Sequence, residues 1–487
     1  MAVVSIVARK PHQRRGLPIL FILLFFSSFH IATCFLPNAA TRIQESPTRA
    51  PWTTTGGRPN TVRRASGDSD NDDNDSSTDA ARMATSLKAR QQELAALDAK
   101  RTQKWRSADC DSGIRAALPT WIRRLDVSYP LAACGSATED IYIANLETGK
   151  VLACTNNEHD DDRVEKQNDG NKEFPDNLEQ TVRLLFGSYD GGGTLAIAFF
   201  NALICHAGRK GGVNLWRLDP IISSQERGSL ISQGSMRALE GVLVTCLLLD
   251  EDYLWVATAD GRIQAYNLQG DLPLALKKAP DMEWNIDATI VSMSLCPQVG
   301  CGVVATSSGG VELFSMEEGG RSLASFYPPF DSMERKASNV HALCAVIVQH
   351  AKMANGQGDL DPGRDAYSIA CGGNDGSLYV QPLQMIATTD QVDTSKPFTK
   401  PLRQLRPRHF APLKCLASPA PGLLISGGLD GTLRVWDIVE AKCLYQFVGY
   451  KVWLGSLWTD GVRLVTDGAD NTVILHNFES PGAAPVE

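Results

Sequence analysis

The sequence lacks the residue patterns that mark most enzymes and metal proteins. Its twelve cysteines include no CxxC pair and no Cys/His spacing typical of a zinc site. No Gly-rich phosphate loop, nucleophile elbow or HExxH pair occurs, and its acidic insertions do not follow the spacing of an EF-hand. We therefore expect no cofactor, no metal site and no catalytic residues.

Acidic residues are almost absent from the first 64 positions. Nine Lys or Arg residues there accompany a single acid, Glu45, so this segment carries +8 of a formal net charge of −8 for the whole chain, and the remainder carries −16. An acidic body repels the phosphates of nucleic acids. We expect no nucleic-acid partner.

A stretch long enough to span a membrane is also missing. The most apolar run, LPILFILLFFSSFHIATC, is short for a span and contains Ser and His in its second half. Basic residues precede it, and Ala32 and Cys34 occupy the −3 and −1 positions of a signal-peptidase site. Residues 1–34 are therefore predicted to be a signal peptide, and the processed chain is expected to have no stable membrane span.

Residues 35–66 have the composition of a transit peptide, because they are rich in Arg, Ser and Thr and nearly free of acids. The junction reads ATC-FLP, with cleavage expected between Cys34 and Phe35. It resembles the bipartite presequences of algae whose plastids derive from secondary endosymbiosis, in which an aromatic residue follows the cut, often as ASA-FAP. Cys34 and Leu36 depart from that pattern. The resemblance implies import into a plastid through the secretory pathway; secretion or retention in an endomembrane lumen is the alternative.

Two segments separate the presequence from the repeats. Residues 67–79 are acidic and polar, which predicts a disordered linker. Residues 80–104 contain many strong helix formers and no Gly or Pro, which predicts a short α-helix. Its leucines share one face with Met83. This helix is interpreted as a partner-binding or coiled-coil segment, as a helix packed on its own domain, or as a solvated lead-in.

From about residue 118 the chain repeats one pattern seven times. A strand ending in small residues is followed by a polar tight turn and a further strand, as in LAACGSATEDIYIANL, LWVATADGRIQAYNL and RLVTDGADNTVILHNF. Asp/Asn-Gly turns between such strands are typical of tight hairpins. Seven small sheets at this period predict a radial array, since a single sheet of this size cannot bury its faces alone.

The sixth copy, LISGGLDGTLRVWDI, resembles a WD repeat. With the loop before it, it supplies the four polar residues that WD repeats bury together: His409, Ser426, Asp430 and Trp436. The other copies are degenerate. The resemblance implies an all-β fold, a seven-bladed β-propeller of WD-repeat type over residues 105–480. It also implies that the tetrad is structural, although Ser, His and Asp look like a catalytic triad.

Closing the ring requires an outer strand for the last blade. Residues 481–487 are too rich in Pro and Gly to supply a strand and are predicted to be a disordered tail. In WD propellers this strand comes from the N-terminal side of the domain, and a segment within residues 105–117 is the candidate. It would remove a free sheet edge.

The resemblance implies a non-enzymatic scaffold or adaptor that binds a protein or peptide and works within a complex. The face with the inter-blade and Asp-turn loops commonly receives partners, and the residues expected there are Arg123, Thr245, His341, Arg408, Pro412, Lys414 and Leu429. The basic stretch KPLRQLRPRH could hold an acidic partner or be a solvated loop. A propeller enzyme, or a propeller that binds a small ligand or metal, is the alternative; a recognition subunit in protein quality control is a further possibility.

Overall fold

The seven sequence copies form seven antiparallel sheets in a computed structural model of the chain. The structure describes residues 7–9, 75–155, 193–208, 211–219, 228–236, 239, 241–268, 279–316, 321–330, 342–350, 367–383, 386–387, 392–393, 398, 400–450, 454–468 and 471–479. The chain divides into two compact units, residues 12–93 and residues 1–11 with 94–487. The predicted seven-bladed all-β propeller is confirmed.

The blades are numbered in chain order, and each runs from its inner to its outer strand. Blade 1 contains β3 Ile122–Ser128, β4 Leu131–Ser136, β5 Ile141–Asn145 and β6 Val151–Cys154; blade 2 contains β7 Thr194–Phe200, β8 Leu203–Gly208, β9 Asn214–Leu218 and β10 Leu230–Ser235. Blade 3 contains β11 Val244–Leu249, β12 Tyr253–Thr258, β13 Arg262–Asn267 and β14 Met282–Asn285; blade 4 contains β15 Ile290–Cys296, β16 Cys301–Thr306, β17 Val311–Ser315 and β18 Ser322–Phe326.

The remaining blades follow the same plan. Blade 5 contains β19 Ala342–Gln349, β20 Tyr367–Gly373, β21 Leu378–Leu383 and β24 Arg403–Leu405, with a two-stranded hairpin, β22 Ile386–Ala387 and β23 Val392–Asp393, inserted before its outer strand. Blade 6 contains β25 Leu413–Ala417, β26 Leu423–Gly428, β27 Leu433–Asp437 and β28 Lys442–Val448; blade 7 contains β29 Leu457–Thr459, β30 Arg463–Asp467, β31 Thr472–Asn477 and β2 Asp111–Ala117. A short strand, β1 Val7–Arg9, pairs with β28.

Tight turns join the second and third strands of the blades, at the same end of each sheet. In blade 6 the Gly431 N–H donates to the carbonyl of Gly428 at 3.2 Å, and Gly431 has a φ of 67°. Gly376 makes the equivalent bond in blade 5 with a φ of 77°. Only glycine adopts this left-handed backbone without strain, which explains why Asp-Gly recurs at the turns.

The hydrophobic core lies between the blades. Each of the seven interfaces, including that between blades 7 and 1, contains its own cluster of buried apolar residues. At the interface of blades 5 and 6, for example, Leu424 and Trp436 pack with Val348 and Leu378. The ring is therefore closed by burial of both faces of every sheet.

The N-terminal side of the propeller closes the last blade. β2 pairs antiparallel with β31, from Asp111 opposite Asn477 to Ala117 opposite Thr472. This strand lies within the segment 105–117 that the sequence indicated. The predicted tail, residues 481–487, lies outside the described residues, as do the predicted cleavage site and most of the predicted linker.

The helix α1 spans Asp75–Ser107, so it is longer at both ends than the predicted 80–104. Its start overlaps the predicted linker, because the Asp and Ser residues of that segment are favoured at helix N-termini. Leu94 and Leu97 are 54% and 38% exposed, so the propeller does not cover these two leucines. No helix in the described part of the chain is long and apolar enough to cross a membrane.

Candidate functional site

The four tetrad residues of blade 6 form one chain of hydrogen bonds. His409 Nδ1 lies 3.1 Å from both carboxylate oxygens of Asp430, and its Nε2 lies 2.7 Å from Ser426 Oγ. Trp436 Nε1 donates to the same Ser426 oxygen at 2.8 Å. His409 lies in the inter-blade loop, whereas the other three come from the second strand, the turn and the third strand. The chain therefore ties the loop to the sheet.

Burial and hydrogen bonding define the charge states of this chain. Burial lowers the pKa of His409, so the imidazole is neutral, donates Nδ1–H to Asp430 and accepts the Ser426 hydroxyl proton at Nε2. Burial raises the pKa of Asp430, but its bonds to His409, Thr432 and the Phe410 N–H outweigh this and hold the pKa well below its usual range. Ser426 is fully buried and already accepts the indole N–H. This serine therefore cannot act as a nucleophile on a bound substrate.

A buried arginine fixes the inter-blade loop that precedes blade 6. Arg434 Nη1 donates to the carbonyls of Pro407 and Arg408 at 2.8 and 2.9 Å. The N–H of Phe410 donates to Asp430 at 3.1 Å, and the N–H of Leu429 donates to Pro412 at 2.9 Å. These bonds fix the backbone of the loop on both sides of His409.

This rigid loop presents an aromatic side chain to solvent. Phe410 is 93% exposed, and the Arg434 guanidinium lies 5.9 Å from its ring centroid. Tyr327, in the loop between blades 4 and 5, is 70% exposed. These are the two most exposed large apolar side chains in the part of the chain that the structure describes. Both lie in inter-blade loops and hence on one face.

Two blades that lack the complete tetrad have other hydrogen-bonded side chains at the tetrad positions. In blade 2, His206 replaces the serine and accepts the Trp216 indole N–H at 3.1 Å. In blade 7, His476 replaces the tryptophan and lies 2.8 Å from the Tyr450 hydroxyl and 2.7 Å from that of Ser112 on the closing strand. In these two blades, histidine hydrogen bonds therefore link polar side chains beneath the turns although the tetrad is lost.

The inner strands of all seven blades surround a cavity of about 310 Å³ on the propeller axis, here named the axial cavity. The cavity lies near the first residues of the inner strands. In each blade the start of the inner strand pairs with the end of the second strand, as Leu413 does with Gly428 in blade 6, and the turn to the third strand follows that end. Its charged or sulfur-bearing lining residues are Arg124, Asp126, Lys414, Cys246, Met293, Cys344 and Cys415. The cavity therefore belongs to the face that carries the inter-blade loops.

A β-bulge recurs at the second residue of six inner strands. In three of these strands the bulged residues are Arg123, Thr245 and Lys414. Bulges redirect side chains and often accompany functional sites. Thr245 and Lys414 line the axial cavity, as does Arg124 rather than Arg123.

Two charged residues of the axial cavity, Arg124 and Asp126, are held by hydrogen bonds to strand backbone. Arg124 donates from Nε to Leu195 O and from Nη1 to Arg123 O, both at 2.8 Å. Asp126 accepts the N–H groups of Val127 and Phe199 at 2.9 and 2.7 Å, while burial raises its pKa to about 6. Burial, together with the charge of Arg124, lowers the pKa of Lys414 to about 8.

The predicted partner-binding residues therefore separate into two groups. Arg408, Pro412 and Leu429 lie together around the blade 6 loop, with Arg408 exposed. Thr245 and Lys414, expected on the face that carries the loops, line the axial cavity from the bulged second position of their strands. Arg123 lies with its guanidinium 5.3 Å from the Trp121 ring centroid.

His341 lies outside the described residues, and the position equivalent to Thr245 in blade 5 is the bulged Leu343. Phe410 and Arg124 were missed from the sequence. Phe410 directly follows the inward-pointing His409, which is the signal that could have revealed it. Arg124 stands beside Arg123, and only strand register distinguishes the two.

The cysteines do not form a metal centre in the described ranges. The eleven cysteines that the structure describes are free thiols, and the described residues contain no group of three or more His, Cys, Asp or Glu side chains placed to hold a metal ion. Three of the thiols line the axial cavity, and burial raises the pKa of Cys246 to about 11 and that of Cys344 to about 12.

Comparison with known proteins agrees with the sixth blade. The family described as WD domain, G-beta repeat, matches residues 399–437, which include the whole tetrad. The nuclear distribution protein PAC1-2 of Uncinocarpus reesii (strain UAMH 1704) is 38% identical over 58 residues, or 12% of this chain. The aligned region spans only 13% of that relative. The crystal structure of the computationally designed Ika8 protein covers 75% of this chain and 99% of its own, at 16% identity and a TM-score of 0.41.

Proposed function

We propose that this chain is a non-enzymatic interaction scaffold whose loop face binds a segment of a partner protein within a complex. A seven-bladed propeller with a WD repeat is a typical scaffold fold. The proposal is carried by the exposed aromatic pair, Phe410 and Tyr327, on the face that also holds the tetrad loop. Exposed aromatic residues on a rigid backbone are the side chains that most often dominate protein interfaces.

The chemistry of this face favours an acidic partner segment with an apolar residue. Arg406 and Arg408 are exposed in the same loop as Phe410, and Lys414 and Arg124 line the neighbouring cavity. The chain after residue 64 is acidic overall, so these cations form a local positive region on a negatively charged molecule. A partner segment with negative charge gains attraction there.

We place this scaffold in a plastid, on the strength of the ATC-FLP junction and the acid-poor segment that follows it. Under this proposal, cleavage between Cys34 and Phe35 removes the signal peptide and leaves the transit peptide at the new N-terminus. β1 would then be removed with the signal peptide, leaving blade 6 with four strands like the other six blades.

The test is to replace Phe410 and Tyr327 with alanine in the native organism and compare the proteins labelled by a proximity enzyme fused to the chain. Truncation of an aromatic anchor commonly costs about 2 kcal/mol or more, or roughly thirtyfold in affinity. We expect specific partners to be lost from the labelled set in the double variant.

The matched control is Ile231→Ala, which truncates a 43% exposed apolar residue on the outer strand of blade 2. This variant should label the same partners as the unaltered chain, at the same protein level. An unchanged set of partners in the Phe410 and Tyr327 variant would refute the proposed binding face.

A further inference from the structure

We infer that the axial cavity binds a single oxyanion group, a carboxylate or a sulfate- or phosphate-like group, between Arg124 and Lys414. This inference rests on the proposed function, because it assigns a chemical class to one part of the partner or ligand. It concerns a cavity whose lining residues form no sequence motif.

Two cations from different blades converge on the cavity. Arg124 comes from β3 of blade 1 and Lys414 from β25 of blade 6, and both line the same 310 Å³ space. They lie close enough that the charge of Arg124 lowers the pKa of Lys414. Two cations held close together repel each other, and an anion between them relieves that repulsion.

The carboxylates near this pair are already directed at backbone N–H groups. Asp126 accepts from Val127 and Phe199, one N–H at each oxygen. Asp467 is buried, does not line the cavity and accepts the N–H groups of Gly455 and Ser456 at 2.9 to 3.1 Å. Burial lowers the pKa of the Arg124 guanidinium, and the charge of Asp467 interacts with that guanidinium and opposes the shift. Burial raises the pKa of Asp126 to about 6 and that of Asp467 to about 7. The cavity is therefore net positive near neutral pH and more so below it.

The remaining lining suits a small polar group. Thr245, Ser292, Ser294 and Ser456 also line the cavity, and its volume is at the low end of the roughly 300–1,000 Å³ typical of small-molecule sites. Cys344 and Cys415 face Lys414, and burial keeps both thiols protonated because it raises their pKa values far above neutrality. The thiols add no negative charge to compete with an anion.

Binding to the full chain can be measured by calorimetry with two probes. Sulfate represents a free oxyanion and remains doubly charged across the pH range, while a capped Gly-Glu-Gly peptide represents an acidic side chain of a partner. We expect sulfate, the peptide or both to bind, with affinity falling about tenfold or more between pH 6.5 and pH 9.5 as Lys414 loses its proton. Preference for one probe identifies the source of the oxyanion.

Three variants make the test specific. Lys414→Met should weaken binding roughly tenfold to a hundredfold and remove the fall above pH 8, because a hydrogen bond to a charged group is lost. Lys414→Arg should retain binding but also lose the fall above pH 8, since a guanidinium stays charged. Lys442→Met changes an exposed lysine on the outer strand of the same blade and should have no effect.

The inference is overturned if neither probe binds, or if Lys414→Met binds as well as the unaltered chain. Arg124→Met should also weaken binding, but this side chain supports two backbone carbonyls, so the Lys414 variants decide if it fails to fold. If neither probe binds but partner labelling still requires Phe410, the inference about the cavity is refuted and the proposed binding face is not. If a probe binds but partner labelling does not require Phe410, the proposed binding face is refuted and the inference about the cavity is not.

Discussion

The tetrad shows how a single residue can connect a loop to a sheet. Ser426 Oγ is the centre of the chain, because it donates to His409 and accepts from Trp436. Each of these three side chains is nearly or completely buried. A buried polar group that loses its partner costs free energy, so the whole set depends on this one hydroxyl.

Replacing Ser426 with alanine tests that dependence. The change leaves His409 Nε2 and the Trp436 indole N–H buried without the hydroxyl, so we expect the free energy of unfolding to fall by about 2–3 kcal/mol. Denaturant unfolding followed by circular dichroism measures it. Ser418→Ala is the control, because this partly exposed serine makes one hydrogen bond, to Leu423 O, and we expect a cost of about 1 kcal/mol or less. Equal costs for the two variants would contradict the central role.

At the scale of elements, the end of α1 anchors the helix to the propeller. Trp105 is fully buried, stacks on Phe478 with ring centroids 3.6 Å apart and donates its indole N–H to Gly461 O at 2.7 Å. Arg106 pairs with Asp437 of blade 6 at 2.6 Å. The next strand, β2, then completes blade 7. The last turn of the helix therefore belongs to the core between blades 6 and 7.

The substitution Trp105→Ala tests whether this end of the helix stabilises the propeller. Loss of a large buried aromatic residue costs about 3–5 kcal/mol, and the effect should appear as one cooperative shift of the thermal transition. Leu94→Ala removes a mostly exposed apolar residue from the same helix and should change the stability by no more than about 0.5 kcal/mol. A small shift for Trp105→Ala would show that the helix end is dispensable.

At the scale of the whole molecule, the charge distribution separates a basic segment, residues 1–64, from an acidic remainder. A fluorescent fusion of residues 1–66, expressed in an alga with a secondary plastid, tests the proposed route. We expect fluorescence in the plastid for the unaltered fusion and its loss from the plastid for Phe35→Ala. Phe29→Ala, in the apolar run before the cut, should still be imported. Secretion of the unaltered fusion would contradict the plastid proposal.

Strand pattern and turn chemistry predicted the ring because they act over a few residues. Asp-Gly turns, strands ending in small residues and a period of tens of residues indicate blades wherever they stand. The closing strand was placed within 105–117 because an open edge has to be paired. The start of α1 was misplaced because an acidic, Ser-rich segment suits both a linker and a helix N-terminus.

The sequence by itself determined the blades and their turns, since each depends on residues that are near neighbours in a strand or turn. The tetrad of blade 6 was predicted because His409, Ser426, Asp430 and Trp436 resemble those of a WD repeat. Only the tertiary structure decided that Arg124 and Lys414, almost three hundred positions apart, line one cavity. It also decided that Phe410 is exposed beside a buried histidine. The reason is physical: a one-residue bulge or a loop hydrogen bond changes where a side chain points, and neither changes the pattern of residue types.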